Sequence, residues 1–246
     1  MADNPLDLET ANAVIAGGGA LGTAFANQLV ARWPSGCVRL LARRAPEGLD
    51  TGIEVIAMEA TDPDSVASAA EACRDLGRVH LLINTVGILH AEGMQPEKRL
   101  RDLTAGAFQQ SMAINALFPA LLADAFSGAL RHDQPAIFAS LSARVGSIGD
   151  NDLGGWYSYR ASKAAQNMLL RTLAREWRVS HRNAAVVALH PGTVESGLSR
   201  PFINTGYRNR VLAPEESANH LLHVLNGLGA KDSGSFYDWR GDPVPW

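Results

Sequence analysis

Tyr159 and Lys163 lie four residues apart in Tyr159-Arg160-Ala161-Ser162-Lys163, which opens a segment of helical period over residues 159–177. That spacing puts both side chains on one helix face. A phenol titrates near pH 10 and is a poor acid or base at neutral pH, but an adjacent ammonium favours phenolate by roughly 1–3 units. Such a pair can move a proton to or from an oxygen atom. Tyr157 is close by, yet its fourth neighbour is Ala161 and supplies no cation. The Tyr-x-x-x-Lys pattern is common by chance, so its weight depends on a second motif upstream.

That motif is Gly17-Gly18-Gly19-Ala20-Leu21-Gly22, which follows the apolar run 13–16 and precedes an apolar helical segment. It is G-x-G-x-x-G in the strand-to-helix setting that the pattern requires. One glycine permits a tight turn, the next lets backbone amides approach a pyrophosphate, and the third allows close helix–sheet packing; the helix N-terminus adds partial positive charge. Gly17, Gly19, Leu21 and Gly22 are therefore candidate dinucleotide-binding residues. About 20 residues further on, where such a domain meets the adenosine ribose, the chain reads Leu41-Ala42-Arg43-Arg44 with no carboxylate. A carboxylate would repel a 2′-phosphate, whereas an arginine forks around one. Arg43 and Arg44 thus favour NADP over NAD as cofactor.

The elements that must position these groups follow a β-α-β-α rhythm. Apolar or β-branched runs at residues 13–16, 37–42, 53–58, 79–84, 136–142 and 184–189 alternate with helical segments, among them 65–76, 108–130 and 159–177. Strands as uniformly apolar as Val186-Val187-Ala188-Leu189 fit burial on both faces. The expected class is α/β: a single-domain Rossmann fold over residues 1–246, a doubly wound parallel sheet with helices on both faces. Residues 196–213 lack periodicity and carry Pro201, Asn204 and Gly206, as a substrate lid would.

Composition narrows the function classes. The 246 residues are 46% hydrophobic and 19% charged, which excludes disorder, and a net charge of −3 without a basic cluster argues against a nucleic-acid partner. No apolar run approaches the roughly 18 residues of a membrane span, and the first basic residue is Arg32, so neither a membrane association nor a signal peptide is expected. The expected location is the cytoplasm. Cys37 and Cys73 are read as buried or half-buried thiols, and the seven histidines form no ligand set, so no metal is expected.

Taken together, these motifs resemble the short-chain dehydrogenase/reductase family along essentially the whole chain. The resemblance rests on the turn Gly17 to Gly22, Asn84-Thr85-Val86-Gly87, Asn115, Ser142, Tyr159 with Lys163, and Pro191-Gly192-Thr193-Val194. Arg144-Val145-Gly146-Ser147-Ile148, Gly155-Trp156-Tyr157-Ser158-Tyr159 and the ending at Trp246 are similar to a branch of C-factor-like proteins and carbonyl reductases. The resemblance implies that Tyr159 is the acid or base at the substrate oxygen and that Lys163 holds the ribose hydroxyls. It also implies that Ser142 orients the substrate and that Asn115 anchors a water in a proton relay. Glu59 and Ala60 would meet the adenine, Asn84, Val86 and Gly87 the adenosine side, and Pro191, Gly192, Val194 and Ser196 the nicotinamide.

The chain departs from the family pattern in places. The glycine turn is one residue shorter, and Ala20 stands where a glycine is usual. Thr85 and Val86 replace Asn and Ala, and Glu59 replaces an aspartate. Counted back from Gly146, the family's serine position falls on Ala143, with Ser142 one residue earlier. The resemblance implies a homo-oligomer and a small carbonyl or alcohol substrate. The expected activity is hydride transfer between NADP(H) and that substrate. An NAD-linked alcohol dehydrogenase and a nucleotide-binding signalling protein with little turnover are the alternatives.

Overall fold

Seven strands form one parallel sheet in the computed structural model, which describes residues 4–8, 10–203 and 207–246. In chain order the elements are β1 (Asn12–Ala16), α1 (Ala20–Arg32), β2 (Cys37–Ala42), β3 (Glu54–Ala57), α2 (Pro63–Ala72), β4 (Leu81–Asn84), α3 (Ala105–Met112), α4 (Phe118–Ala125) and α5 (Ser127–Leu130). They continue with β5 (Ala136–Leu141), α6 (Tyr157–Ser180), β6 (Ala184–His190), β7 (Thr193–Val194), β8 (Val211–Leu212), α7 (Pro214–Asn226) and β9 (Ser235–Asp238). The sheet order is β3-β2-β1-β4-β5-β6-β9, while β7 and β8 pair separately. Strand order reverses between β1 and β4. In a doubly wound sheet the crevice beyond the carboxyl ends of such strands is where ligands bind.

Period-two alternation divides the apolar side chains between two cores. Ala13 and Ile15 of β1 join Phe25 and Leu29 of α1 and Leu221 and Leu225 of α7 on one face. Val14 and Ala16 join Val66 of α2, Phe118 and Leu122 of α4 and Trp177 of α6 on the other. Both faces of the sheet are therefore covered, as the uniformly apolar strands require. Among the described residues no helix is long and apolar enough to cross a membrane, and no three His, Cys, Asp or Glu cluster as metal ligands. Cys37 is half-buried and Cys73 buried; burial raises the Cys73 thiol to about 11.

Three elements differ from the sequence expectation. The segment 108–130 is not one helix: α3 passes into a π turn at Ala113–Leu117 before α4 and α5. Pro119 explains the break, because it has no N–H to complete the α-helical bond to the Asn115 carbonyl; Phe118 N reaches back to Ala113 O instead. A seventh sheet strand, β9, lies beside β6 and was hidden in the short polar run Ser235-Phe236-Tyr237-Asp238. Within residues 196–213 the chain makes a 3₁₀ turn (Arg200–Phe202) and β8; residues 204–206 lie outside the described set.

Candidate active site

The glycine turn leaves β1 at its carboxyl end. Gly17 has φ 113°, and a Cβ at Gly22 would overlap the Gly17 carbonyl oxygen, so these two positions have no room for a side chain. Gly19 caps α1 without a side-chain hydrogen bond, no acidic residue occupies the first turn, and among the described residues, its chain neighbours aside, no atom lies within 4 Å of where a Gly19 Cβ would stand. The N-terminus of α1, the positive end of its helix dipole, thus begins beside open space, a fit for a pyrophosphate. Leu21 turns partly into the core below. A Cβ at Gly18 would meet Ala42 at 2.9 Å and the Arg44 carbonyl oxygen at 3.6 Å, so the turn abuts the end of β2. Arg43 and Arg44 follow there, exposed and, among the described residues, in no salt bridge. The Glu59 carboxylate accepts from Thr61 N at 3.2 Å and Thr61 Oγ1 at 3.0 Å, and Ala60 beside it is half-buried.

The turn after β4 connects this glycine loop to α6. The Thr85 hydroxyl donates to Ala16 O at 2.9 Å and Gly17 O at 3.3 Å, which gives the unusual threonine a structural task. Asn84 accepts from Val86 N at 3.0 Å and donates to the Ser140 hydroxyl at 2.8 Å. A Cβ at Gly87 would stand 3.4 Å from Asn115 Oδ1 and 3.6 Å from Lys163 Nζ. Glycine loop, Asn84–Gly87 turn, Asn115 and Lys163 are thereby contiguous.

On α6, Ser158, Tyr159, Ser162, Lys163, Gln166 and Asn167 are all buried, a polar stripe where an ordinary helix would be apolar. Lys163 Nζ lies 6.0 Å from the Tyr159 ring centroid and donates to Leu141 O at 2.9 Å and Gln166 Oε1 at 2.8 Å. Gln166 in turn donates to the Ser140 hydroxyl at 2.7 Å, closing a network from β4 through β5 to α6. Burial lowers the Lys163 ammonium to about 7 and raises the Tyr159 phenol above its ordinary value. Here burial outweighs the expected depression of the phenol by its cationic neighbour, and each group is driven toward its neutral form. Asn115 sits in the π turn, where Nδ2 donates to Ile88 O at 2.8 Å and Ser162 Oγ at 3.0 Å, and Oδ1 accepts from Ile88 N at 2.8 Å.

The family model described as short chain dehydrogenase matches residues 11–205, spanning all the residues of this network. The chain belongs to the short-chain dehydrogenase family. It is 33% identical over 180 residues to the C-signal protein of Myxococcus xanthus, covering 73% of this chain and 99% of that protein. A 1-hydroxy-2-glutathionyl-2-methyl-3-butene dehydrogenase of Rhodococcus sp. (strain AD45) is 28% identical over 189 residues, 77% of this chain and 78% of that enzyme. Among solved structures, an NADPH-bound carbonyl reductase from chicken fatty liver superposes with a TM-score of 0.83 at 28% identity, covering 98% of this chain and 96% of that one.

Within this short-chain dehydrogenase the remaining expected residues are less simply arranged. The Ser142 hydroxyl donates to Asn167 Oδ1 at 2.6 Å, so its one proton points into α6. Ala143 follows it and precedes the 3₁₀ turn Arg144–Gly146. At the other end of the site, Pro191 O accepts from the Ser217 hydroxyl at 2.8 Å and Gly192 packs against Trp239. Val194, in β7, is buried, and Ser196 N donates to Ser199 Oγ at 3.2 Å. His190 ends β6; among the described residues its Nδ1 has no hydrogen-bond partner, and burial lowers the ring to about 4. Trp156 packs 6.1 Å from the Tyr159 ring and 5.3 Å from Phe202, while His90 Nε2 meets Gly197 O at 3.1 Å. Residues 196–203 therefore lie over the tyrosine end of the crevice. Gln166 and Asn167, absent from the sequence expectation, carry a signal in the polar stripe at i+3 and i+4 from Lys163 on a helix face that packs on the sheet, whereas Ser140, on β5, has none.

Proposed function

We propose that this short-chain dehydrogenase is an NADP-preferring oxidoreductase of a single domain that interconverts a carbonyl compound and its alcohol, with Tyr159 as proton donor and acceptor. The carrying observation is the contiguity of the helix-terminus turn at Gly17–Gly22 with Gly87, Lys163 and Tyr159 at the switch point of the sheet. A bound nicotinamide dinucleotide would supply or accept the hydride. The pyrophosphate is assigned to the α1 N-terminus, the adenosine end to Arg43, Arg44, Glu59, Ala60, Asn84 and Val86, and the nicotinamide end to Pro191, Gly192, Val194 and Ser196. The NADPH-bound carbonyl reductase from chicken fatty liver supports a nicotinamide dinucleotide as the ligand of this fold.

The chain's own groups divide the work. Tyr159, kept protonated by burial, gives its proton to the carbonyl oxygen during reduction and regains one afterwards. Lys163 Nζ, between Gly87 and the Leu141 carbonyl, is placed to hold ribose hydroxyls. Asn115 fixes Ile88 to α6 through Ser162, and its carbonyl, denied the Pro119 N–H, is the proposed anchor for a relay water. Ser142 remains the proposed orienting hydroxyl; to donate to a substrate it must release Asn167. That engaged hydroxyl, together with the C-signal relative, favours a second reading as a nucleotide-binding signalling protein with little turnover.

A panel of aldehydes and ketones with NADPH separates the two. Wild-type protein is expected to oxidise NADPH with at least one carbonyl compound, and Tyr159→Phe to lose about 10²–10⁴-fold in kcat. Equal turnover by the variant excludes Tyr159 as the acid, and no turnover by wild type supports the signalling reading.

A further inference from the structure

The helix that carries Tyr159 begins without a cap of its own. Trp156 occupies the cap position at φ 52° and ψ 46°, makes no side-chain capping bond, and is the one non-glycine residue of positive φ among the described residues. It follows Gly154 and Gly155 at φ 62° and 65°, so three left-handed residues in succession turn the chain into α6. A backbone in that region persists only where its surroundings over-determine it.

What surrounds it is Glu97, from the segment between β4 and α3. The Glu97 carbonyl accepts from Trp156 N at 2.5 Å, its Oε2 accepts from Ser158 N at 3.1 Å, and its Oε1 accepts from the Ser158 hydroxyl. Glu97 is 3% exposed and, among the described residues, forms no salt bridge. A buried carboxyl without a cation is costly unless hydrogen-bond donors meet it, and here the α6 N-terminus supplies them. An Asp or Ser at position 156 would cap the helix locally. The chain instead brings a carboxyl from 61 residues away, onto the residue next to Tyr159.

We propose that Glu97 is a positioning residue for Tyr159, holding the first turn of α6 so that the phenol meets the substrate oxygen. This rests on the reading of Tyr159 as proton donor. Glu97→Ala, Glu97→Gln and Tyr159→Phe are compared in NADPH-dependent reduction of the best carbonyl substrate, reading kcat, KM, NADPH Kd and the solvent deuterium isotope effect on kcat. Glu97→Ala is expected to lower kcat about 10–100-fold, the scale of a small misplacement of a reacting group, with KM and Kd within about threefold. The solvent isotope effect should rise, because proton donation from a misplaced phenol becomes slow. Glu97→Gln keeps one acceptor for Ser158 N and is expected to restore kcat to within about threefold of wild type.

Wild-type kcat in Glu97→Ala overturns the assignment, and so does a kcat loss matched in NADPH Kd or accompanied by an unchanged isotope effect. Should Glu97→Ala fail to fold, Ser158→Ala decides: a lower kcat with a raised isotope effect supports the assignment, and unchanged values overturn it. Full turnover by Tyr159→Phe removes the proton-donor reading and this assignment with it. An inactive Tyr159→Phe beside an unaffected Glu97→Ala sinks the Glu97 assignment alone.

Discussion

Lys163 stands where burial and hydrogen bonding pull its charge in opposite directions. Two acceptors, Leu141 O and Gln166 Oε1, favour its ammonium, yet burial wins and brings its pKa to about 7. An unfolded lysine keeps its proton to about pH 10.4, so between those values this group binds more protons unfolded than folded and stability rises with pH. Ribose hydroxyls at Nζ would restore the charged form, so dinucleotide binding takes up a proton. NADPH affinity is therefore expected to weaken as pH rises from about 7 toward 9, by at most about tenfold per unit, and Lys163→Met to flatten that dependence. Fluorescence titration across that range checks it; a flat wild-type profile contradicts it. At the other end of the crevice, Arg43→Ala is expected to raise the NADPH Kd roughly 10–100-fold, the worth of one charge-assisted hydrogen bond, with the NADH Kd within about threefold. An NADH preference that survives the substitution counts against the phosphate fork. Tyr159 and Lys163 were legible because one helix turn brings them together. Gln166, three residues past Lys163, lay within reach of the same spacing argument. Ser140 and Glu97 did not, since each meets α6 from a distance in sequence that spacing cannot reveal.

The turn from β1 into α1 carries the glycine prediction. A Cβ at Gly22 would overlap the Gly17 carbonyl, so Gly22→Ala must shift either helix or strand; about 1–3 kcal/mol of stability and most NADPH affinity should be lost. Thermal unfolding with a parallel NADPH titration reads both, and a wild-type-like result in either contradicts the packing described. Strands buried on both faces were easy to find as apolar runs, and β1, β4, β5 and β6 fell within two residues of their expected positions. β9 was missed because only Phe236 and Asp238 of its four residues are buried, and a lone apolar side chain makes no period. The π turn at Ala113–Leu117 was missed for a different reason: helical periodicity runs through Pro119, and one lost backbone bond leaves no trace in the hydrophobic pattern. Similarly, Ser142 stood in the right stretch, but the strand's pleat and Asn167 decide where its proton points.

Across the whole molecule, two apolar cores hold one sheet whose strand order reverses between β1 and β4, and every assigned group gathers beyond the carboxyl ends of those central strands and their neighbours. That architecture was readable from the β-α alternation, because a parallel strand needs a crossover helix and both faces must be covered. Substrate identity was not readable, since no motif encodes the aromatic surface that Trp156 and Phe202 form beside Tyr159. In the proposed function one dinucleotide spans this crevice from Arg43 to Tyr159. A crystal structure of the protein with NADPH and a carbonyl inhibitor decides the matter. The predicted result places the 2′-phosphate at Arg43 and the dihydropyridine C4 about 3–3.5 Å from the inhibitor's carbonyl carbon, with the Tyr159 hydroxyl donating to its oxygen. A nicotinamide ring remote from Tyr159, or a dinucleotide bound away from the Gly17–Gly22 turn, would contradict it.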